Sequence, residues 1–172
     1  MKIEVVIGNI VMQPDVDALV NSANANLRLG SGVAGVIHTA AGPELEVFCK
    51  PFAPLELGAA LITPGFKLAN PWVIHVRSAH YILNTEPERY MAFAMFSMLN
   101  TARDNGIKSL AMPAIGTGVF KFPPMLAARI TAKALREFEK KSDAIELVRI
   151  CVISEDMRKL FESAIALEEE SC

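Results

Sequence analysis

The sequence lacks the features that mark several large classes of protein. Its three cysteines, Cys49, Cys151 and Cys172, are odd in number and have no C-x-x-C spacing, so we expect reduced thiols, a cytoplasmic protein and no required metal or other cofactor. No run of about 18 apolar residues is present, which argues against a membrane span. Lys and Arg number 17 against 19 Asp and Glu, and this near-neutral balance favours neither nucleic acid nor a membrane as a partner.

The sequence does contain enough apolar side chains for one packed domain, since 52% of its 172 residues are hydrophobic. Strands are predicted at residues 3–7, 16–20, 59–63, 72–77, 109–113 and 147–153, and helices at 33–41, 44–49, 86–104, 125–141 and after Ser154. This alternation predicts a three-layer α/β/α sandwich. The domain is predicted to cover residues 1–166 and to be followed by a solvated tail at 167–172.

Three asparagines, Asn21, Asn24 and Asn26, follow the second predicted strand within a few residues. Asn is depleted in sheet interiors, so the strand is predicted to end before Asn21. An Asn amide can bond ribose hydroxyls or orient a water molecule, although a set of Asx turns that shape the loop is the alternative. We assign a catalytic role to Asn24 and a mainly structural role, beside the ligand, to Asn21.

Two glycine-rich segments are candidates for phosphate binding. The first, residues 30–35 (GSGVAG), matches G-x-G-x-x-G, but no strand precedes it, which argues against a dinucleotide-binding fingerprint. The second, residues 116–120 (GTGVF), follows a predicted strand. Glycines let main-chain N–H groups approach a phosphate, and a helix N-terminus adds partial positive charge. Two such loops at one sheet edge could hold a diphosphate; a turn that only redirects the chain is the alternative.

Several blocks, taken in order, resemble the macro domain family, a family of ADP-ribose-binding modules. The resemblance covers residues 2–165. Its strongest blocks are residues 18–24 (ALVNSAN), 30–38 (GSGVAGVIH), 41–43 (AGP), 60–65 (ALITPG), 73–76 (VIHV) and 113–120 (PAIGTGVF). The resemblance implies the family fold, in which a mixed, mostly parallel central sheet of six or seven strands lies between helices.

The resemblance also implies a binding site. In the family, the two glycine loops enclose the diphosphate and the distal ribose, and the second Asn of the N-x-A-N block, here Asn24, is tied to that ribose in hydrolytic members. The ligand-binding residues predicted in this sequence are Asn9, Ile10, Asn21, Gly30, Gly32, Val33, Gly116, Thr117, Gly118, Val119, Phe120 and Ile153.

Four positions depart from the family pattern. Asn9 replaces an Asp that accepts from the adenine amino group, and Ile153 replaces a stacking aromatic, so adenine binding is expected to be weaker or altered. Ala34 replaces an Asp that helps to activate water, which removes an obvious general base; other branches with hydrolase activity also have Ala there. Lys121 stands where a Gly is usual.

Two functions follow from the resemblance. The first is binding of ADP-ribose, or of an ADP-ribosylated small molecule or protein, with hydrolysis of ADP-ribosyl esters through positioning and dipolar stabilisation. The second is a non-catalytic ADP-ribose reader, which Ala34 and Asn9 favour. A third alternative is an unrelated nucleotide or RNA binder that kept only the scaffold.

Overall fold

The strands and helices follow one another in the order that the hydrophobic pattern predicts. The computed structural model describes residues 1–171. Its strands are β1 (Lys2–Ile7), β2 (Ala18–Ser22), β3 (Ala60–Pro64), β4 (Trp72–Val76), β5 (Ser109–Pro113) and β6 (Leu147–Val152). Its α-helices are α1 (Gly32–Ala41), α2 (Glu44–Cys49), α3 (Pro87–Asp104), α4 (Pro124–Glu139) and α5 (Glu155–Glu170), and two short 3-10 helices lie at Ile10–Met12 and Lys50–Phe52.

The six strands form one sheet in the order β1-β6-β5-β2-β4-β3. All neighbouring pairs are parallel except β3 and β4, which are antiparallel. The predicted mixed, mostly parallel sheet is therefore confirmed, with six strands. Because β1, β6, β5 and β2 run in the same direction, their carboxyl ends meet at one edge, where ligands bind in open sheets of this kind.

The two faces of the sheet are covered by different helices, which confirms the three layers. Successive side chains of a strand point to opposite faces. In β2, Ala18 and Val20 therefore pack in the core that contains α3, α4 and α5, whereas Leu19 packs in the core that contains α1 and α2. Strand β5, in the middle of the sheet, is buried on both sides from Leu110 onward and is apolar there, whereas the edge strand β1 is only half-buried and carries Lys2 and Glu4.

Several boundaries differ from those predicted by one or two residues, among them the start of β2 and the end of α4, and two larger differences concern the ends of β2 and α5. Strand β2 continues through Asn21 to Ser22 because Asn21 finds a polar partner on the neighbouring strand β4. Helix α5 begins after Ser154, whose side chain accepts from the Met157 N–H group, and it continues to Glu170. The predicted tail at 167–172 is therefore helical at its start; Leu167 is exposed, and Cys172 lies outside the described residues. None of the helices within residues 1–171 is long and apolar enough to cross a membrane.

Candidate functional site

A cleft made of two adjoining hollows lies at the carboxyl ends of β1, β6, β5 and β2. The loop half encloses about 340 Å³ beside the two glycine loops, and the edge half encloses about 510 Å³ beside the segment that follows β1. The two halves share part of their walls, so they form a single elongated cleft. The shared residues are Gly32, Val33, Pro113, Cys151, Val152 and Ile153.

No Asp, Glu, His, Lys or Arg is among the described residues that line either half of the cleft. Any charge on a ligand must therefore be met by main-chain dipoles and hydroxyl groups. Helix α1 begins at Gly32, at the wall shared by both halves, and its Ser31 N-cap makes no side-chain capping bond. The first N–H groups of a helix have no partner inside the helix, so the start of α1 presents free donors and partial positive charge to the cleft.

The first glycine loop is shaped by a close approach of two main-chain segments. Gly32 has a φ angle of +59°, in the region that favours glycine. Gly35 packs so tightly that a Cβ atom there would stand 2.4 Å from the carbonyl oxygen of Gly30. This contact holds the loop against the first turn of α1, where the free N–H groups lie.

The second glycine loop also presents free N–H groups. Its turns are closed by hydrogen bonds from the Thr117 N–H to the Ala114 carbonyl oxygen (3.3 Å) and from the Phe122 N–H to the Gly116 carbonyl oxygen (2.9 Å). Among residues 1–171, no partner is present for the N–H groups of Gly118 and Val119. A loop of this kind, with successive unpaired N–H groups, is a typical anion-binding concavity.

The edge half of the cleft is apolar except at one side chain. Ile7, Ile10, Val36 and Ile153 contribute aliphatic wall, and Asn9 contributes its amide. Ile153 is 92% exposed at the end of β6, so it offers a free apolar face. A flat apolar ring with a polar edge suits such a slot.

Comparison with known protein families decides the identity of the scaffold. A family model described as "Macro domain" matches residues 20–131. The chain belongs to the macro domain family. It is 34% identical to a macro domain-containing protein of Lactiplantibacillus plantarum, with 96% of this chain and 97% of that protein covered. It is 36% identical to the ADP-ribose glycohydrolase MACROD2 of Xenopus laevis, with 88% of this chain but only 37% of that protein covered.

Solved macro domain structures share the same architecture. A macrodomain of Oceanobacillus iheyensis with ADP superposes with a TM-score of 0.93 at 29% identity, covering 99% of this chain and 93% of that one. A Trypanosoma brucei macrodomain in complex with ADP-ribose gives a TM-score of 0.87 at 29% identity, covering 95% of this chain and 68% of that one. The cleft described above therefore lies on a macro domain scaffold.

Most of the predicted binding residues of this macro domain meet at the cleft. Asn9 and Ile10 line the edge half, and the second glycine loop lines the loop half. Three predicted residues, Asn21, Asn24 and Gly30, are not among the lining residues. The predicted residues that line the cleft are Asn9, Ile10, Gly32, Val33, Gly116, Thr117, Gly118, Val119, Phe120 and Ile153.

Asn21 lies in the core of this macro domain and is not among the residues that line the cleft, which corrects the ligand-binding role predicted for it. The Asn21 amide nitrogen donates to His75 Nδ1 (3.0 Å), and both side chains are fully buried. A neutral ring that accepts at Nδ1 donates from Nε2, here to Thr63 Oγ1 at 3.0 Å. Burial lowers the pKa of His75 to about 3, and the nearby His38 ring adds to this effect. His75 is therefore a neutral core histidine.

Asn24 holds the loop that leads to the first glycines. Its Oδ1 atom accepts from the Arg28 N–H (3.0 Å), and its amide nitrogen donates to the Arg28 carbonyl oxygen (2.7 Å). The amide also lies against Gly30, where an added Cβ would stand 3.0 Å from it. Asn24 therefore positions this loop through both ends of its side chain, while one N–H donor and one lone pair of the amide are left over.

The cleft is also lined by residues that were not predicted to bind a ligand. Ser22 ends β2, Pro113 ends β5, and Cys151 and Val152 end β6, and all four line the loop half. Burial raises the pKa of the Cys151 thiol to about 11, which keeps it protonated at neutral pH. The signal that could have indicated these residues is their place at the carboxyl ends of parallel strands.

Proposed function

We propose that this macro domain binds ADP-ribose in the cleft and hydrolyses ADP-ribosyl esters, either O-acetyl-ADP-ribose or mono-ADP-ribosyl groups on acidic side chains. The observation that carries the proposal is that free main-chain N–H groups from two glycine loops border one cleft that has no charged lining residue. A pyrophosphate is a ligand whose charge such N–H groups can balance. The solved macrodomain complexes with ADP and with ADP-ribose support the same ligand.

The two halves of the cleft suit the two ends of this ligand. In the proposed complex, the diphosphate lies between the start of α1 at Gly32 and the second loop at Gly118. The apolar slot beside Ile10 and Ile153 holds the purine ring, because burial of a flat ring against aliphatic side chains is favourable. The distal ribose then points toward the loop that Asn24 holds.

Hydrolysis is proposed to depend on position and dipoles. Water adds to the ester carbonyl, and the products are ADP-ribose and the free acid. The loop N–H groups and Asn24 would orient the ribose, and a phosphate oxygen of the substrate would hold the attacking water. Oriented dipoles in a site that excludes bulk water stabilise developing charge without a strong base. The similarity to the glycohydrolase MACROD2 of Xenopus laevis supports an enzymatic role.

A non-catalytic ADP-ribose reader is the second candidate, and a specific observation favours it. No carboxylate or imidazole is among the described residues that line the cleft, so no side chain there can act as a general base. Ala34, at the position where hydrolytic members often carry Asp, is buried below Gly30.

Two measurements test the proposal in sequence. Calorimetric titration with ADP-ribose should show binding, and the absence of heat at millimolar ligand would exclude both candidates. Incubation with O-acetyl-ADP-ribose, followed by chromatographic separation of ADP-ribose, should show turnover above a buffer control. Binding with no product above that control would leave the reader as the function.

A further inference from the structure

Asn9 contributes the one amide side chain among the described residues that line the edge half of the cleft, and its orientation bears on which purine this chain accepts. The inference rests on the proposed function, in which this apolar slot holds the base of a nucleoside diphosphate ribose. The other lining side chains of the slot, such as Ile7, Val36 and Ile153, are aliphatic. The polar edge of a bound purine must therefore be matched mainly by Asn9.

The chemistry of its partner fixes which way the Asn9 amide faces. The Val11 N–H group donates to Asn9 Oδ1 at 3.1 Å. A main-chain N–H can only donate, so the oxygen must face Val11 and the amide nitrogen must face away from it. No hydrogen-bond partner of this nitrogen is present in residues 1–171. Because Asn9 is exposed and lines the slot, both N–H donors of its amide are free for a ligand there.

A polar network holds the main chain of Asn9 in place. Gln13 Nε2 donates to the Asn9 carbonyl oxygen (3.1 Å), and Gln13 Oε1 accepts from Arg149 (3.1 Å). Because a guanidinium group only donates, the Gln13 amide also has a single orientation. Arg149 is itself held by two bonds to the Asp15 carboxylate (2.7 and 2.8 Å) and one to Glu4 (2.9 Å). This network thus fixes the main chain from which the Asn9 side chain projects.

We propose that Asn9 makes this chain tolerant of 6-oxopurines, so that inosine diphosphate ribose binds about as tightly as ADP-ribose. The purine 6-position carries an amino donor in adenine and a carbonyl acceptor in hypoxanthine, and N1 is an acceptor in adenine but an N–H donor in hypoxanthine. The free N–H groups of Asn9 pair directly with a 6-oxo group, whereas in adenine the only acceptors they can meet are ring nitrogens. A carboxylate that faces the 6-position can only accept, so it would select the adenine amino group and repel the 6-oxo group.

The test compares ADP-ribose with inosine diphosphate ribose, which differ at purine positions 1 and 6, by calorimetric titration of the full chain. We expect the two dissociation constants of the wild type to agree within about threefold, because each ligand can satisfy the Asn9 donors. Asn9→Asp can still accept from Val11, so it should fold normally, and it should favour ADP-ribose by about tenfold or more. Asn26→Asp makes the same chemical change outside the lining of the cleft and should keep the wild-type ratio.

The outcomes separate this inference from the proposed function. A wild type that prefers ADP-ribose by more than about tenfold would overturn the inference and leave ADP-ribose binding intact. An unchanged ratio in Asn9→Asp would also overturn it, since Asn9 would then not contact the base. If neither ligand binds the wild type, the proposed function is wrong and the inference is wrong with it.

Discussion

Gly35 in α1 lies directly against the main chain of Gly30, so that a Cβ atom on Gly35 would stand 2.4 Å from the Gly30 carbonyl oxygen. Real side chains do not approach a carbonyl so closely, and either the loop or the helix would have to move. The spacing of the first glycine motif thus reflects a contact between loop and helix, and this contact places the first free N–H groups of α1 at the cleft.

Gly35→Ala should therefore lower the free energy of unfolding by about 1–3 kcal/mol, because the added methyl group displaces the loop from the helix. It should also weaken ADP-ribose binding, since the N–H groups of Gly32 and Val33 move with the loop. Urea unfolding and calorimetry measure the two effects. Gly118→Ala is the matched control for stability, because no atom lies within 4 Å of its added Cβ. Equal stability of Gly35→Ala and wild type would show that the contact is not needed.

Asn24→Ala should slow ester hydrolysis about a hundredfold, the usual cost of removing one positioned dipole. It should also cost about 1–3 kcal/mol of stability, because the two hydrogen bonds to the Arg28 main chain are lost. Steady-state assays at a temperature where both proteins are fully folded separate the two effects. Asn26→Ala, at a neighbouring exposed residue, is the control. If Asn24→Ala turned over substrate at the wild-type rate, the catalytic role of Asn24 would be wrong.

The buried His75 ring should make the protein less stable in mild acid. Its pKa is about 3 in the folded protein against an ordinary value of 6.5, so below pH 6.5 the unfolded chain binds a proton that the folded chain excludes. The contribution of the neutral His75 ring to the free energy of unfolding is therefore complete above pH 6.5 and is lost as the pH falls toward 3. It predicts a loss of about 1.4 kcal/mol between pH 7.5 and pH 5.5. Burial also lowers the pKa of His38, which acts in the same direction.

Urea unfolding at the two pH values measures this loss. His75→Gln keeps a polar side chain beside Asn21 without an ionisable ring, so it should flatten the pH dependence. A wild type whose free energy of unfolding is the same at both values would contradict a neutral buried histidine.

Lys121→Gly should leave the protein as stable as wild type or raise its free energy of unfolding by up to about 1 kcal/mol. Lys121 has a φ angle of +64°, which is unfavourable for any residue with a Cβ, and glycine removes this strain while adding some chain entropy to the unfolded state. Lys133→Gly, on the exposed face of α4, should instead destabilise the protein by about 1 kcal/mol. Thermal melts of both variants provide the measurement; a clear loss of stability in Lys121→Gly would show that its side chain makes a needed contact.

The element order and the glycine loops were predictable because they depend on local properties of the chain. The apolar runs of β5 and β6 and the apolar face of α3 are visible in any short window of sequence. The three methionines Met91, Met95 and Met98 recur in α3 at a spacing typical of one buried helix face, and all three are fully buried. The glycines before the start of α1 likewise predict a site formed by main-chain N–H groups, because glycine has no side chain that would keep a ligand away from them.

Contacts between distant parts of the chain could not be predicted in the same way. Asn21 is a core residue because His75 lies 54 residues further along the chain, in the adjacent strand. Gln13 positions Asn9 because Arg149, 136 residues away, holds its amide. Asn21 and Gln13 are polar, and a polar residue in a sequence is usually expected at the surface or in contact with a ligand. Their actual roles become clear only when their partners in the folded chain are known.

By itself, then, the sequence determined the three-layer fold, the family and the two loops that border the cleft, because hydrophobic periodicity and the conformational freedom of glycine depend only on residues that are close together in the chain. Only the tertiary structure decided that Asn21 is buried, that Asn24 holds a loop through its side chain, and that the Asn9 amide has its oxygen bonded to Val11 and its nitrogen free. The reason is that an amide can donate or accept in any direction, and its role depends on which groups the fold brings beside it.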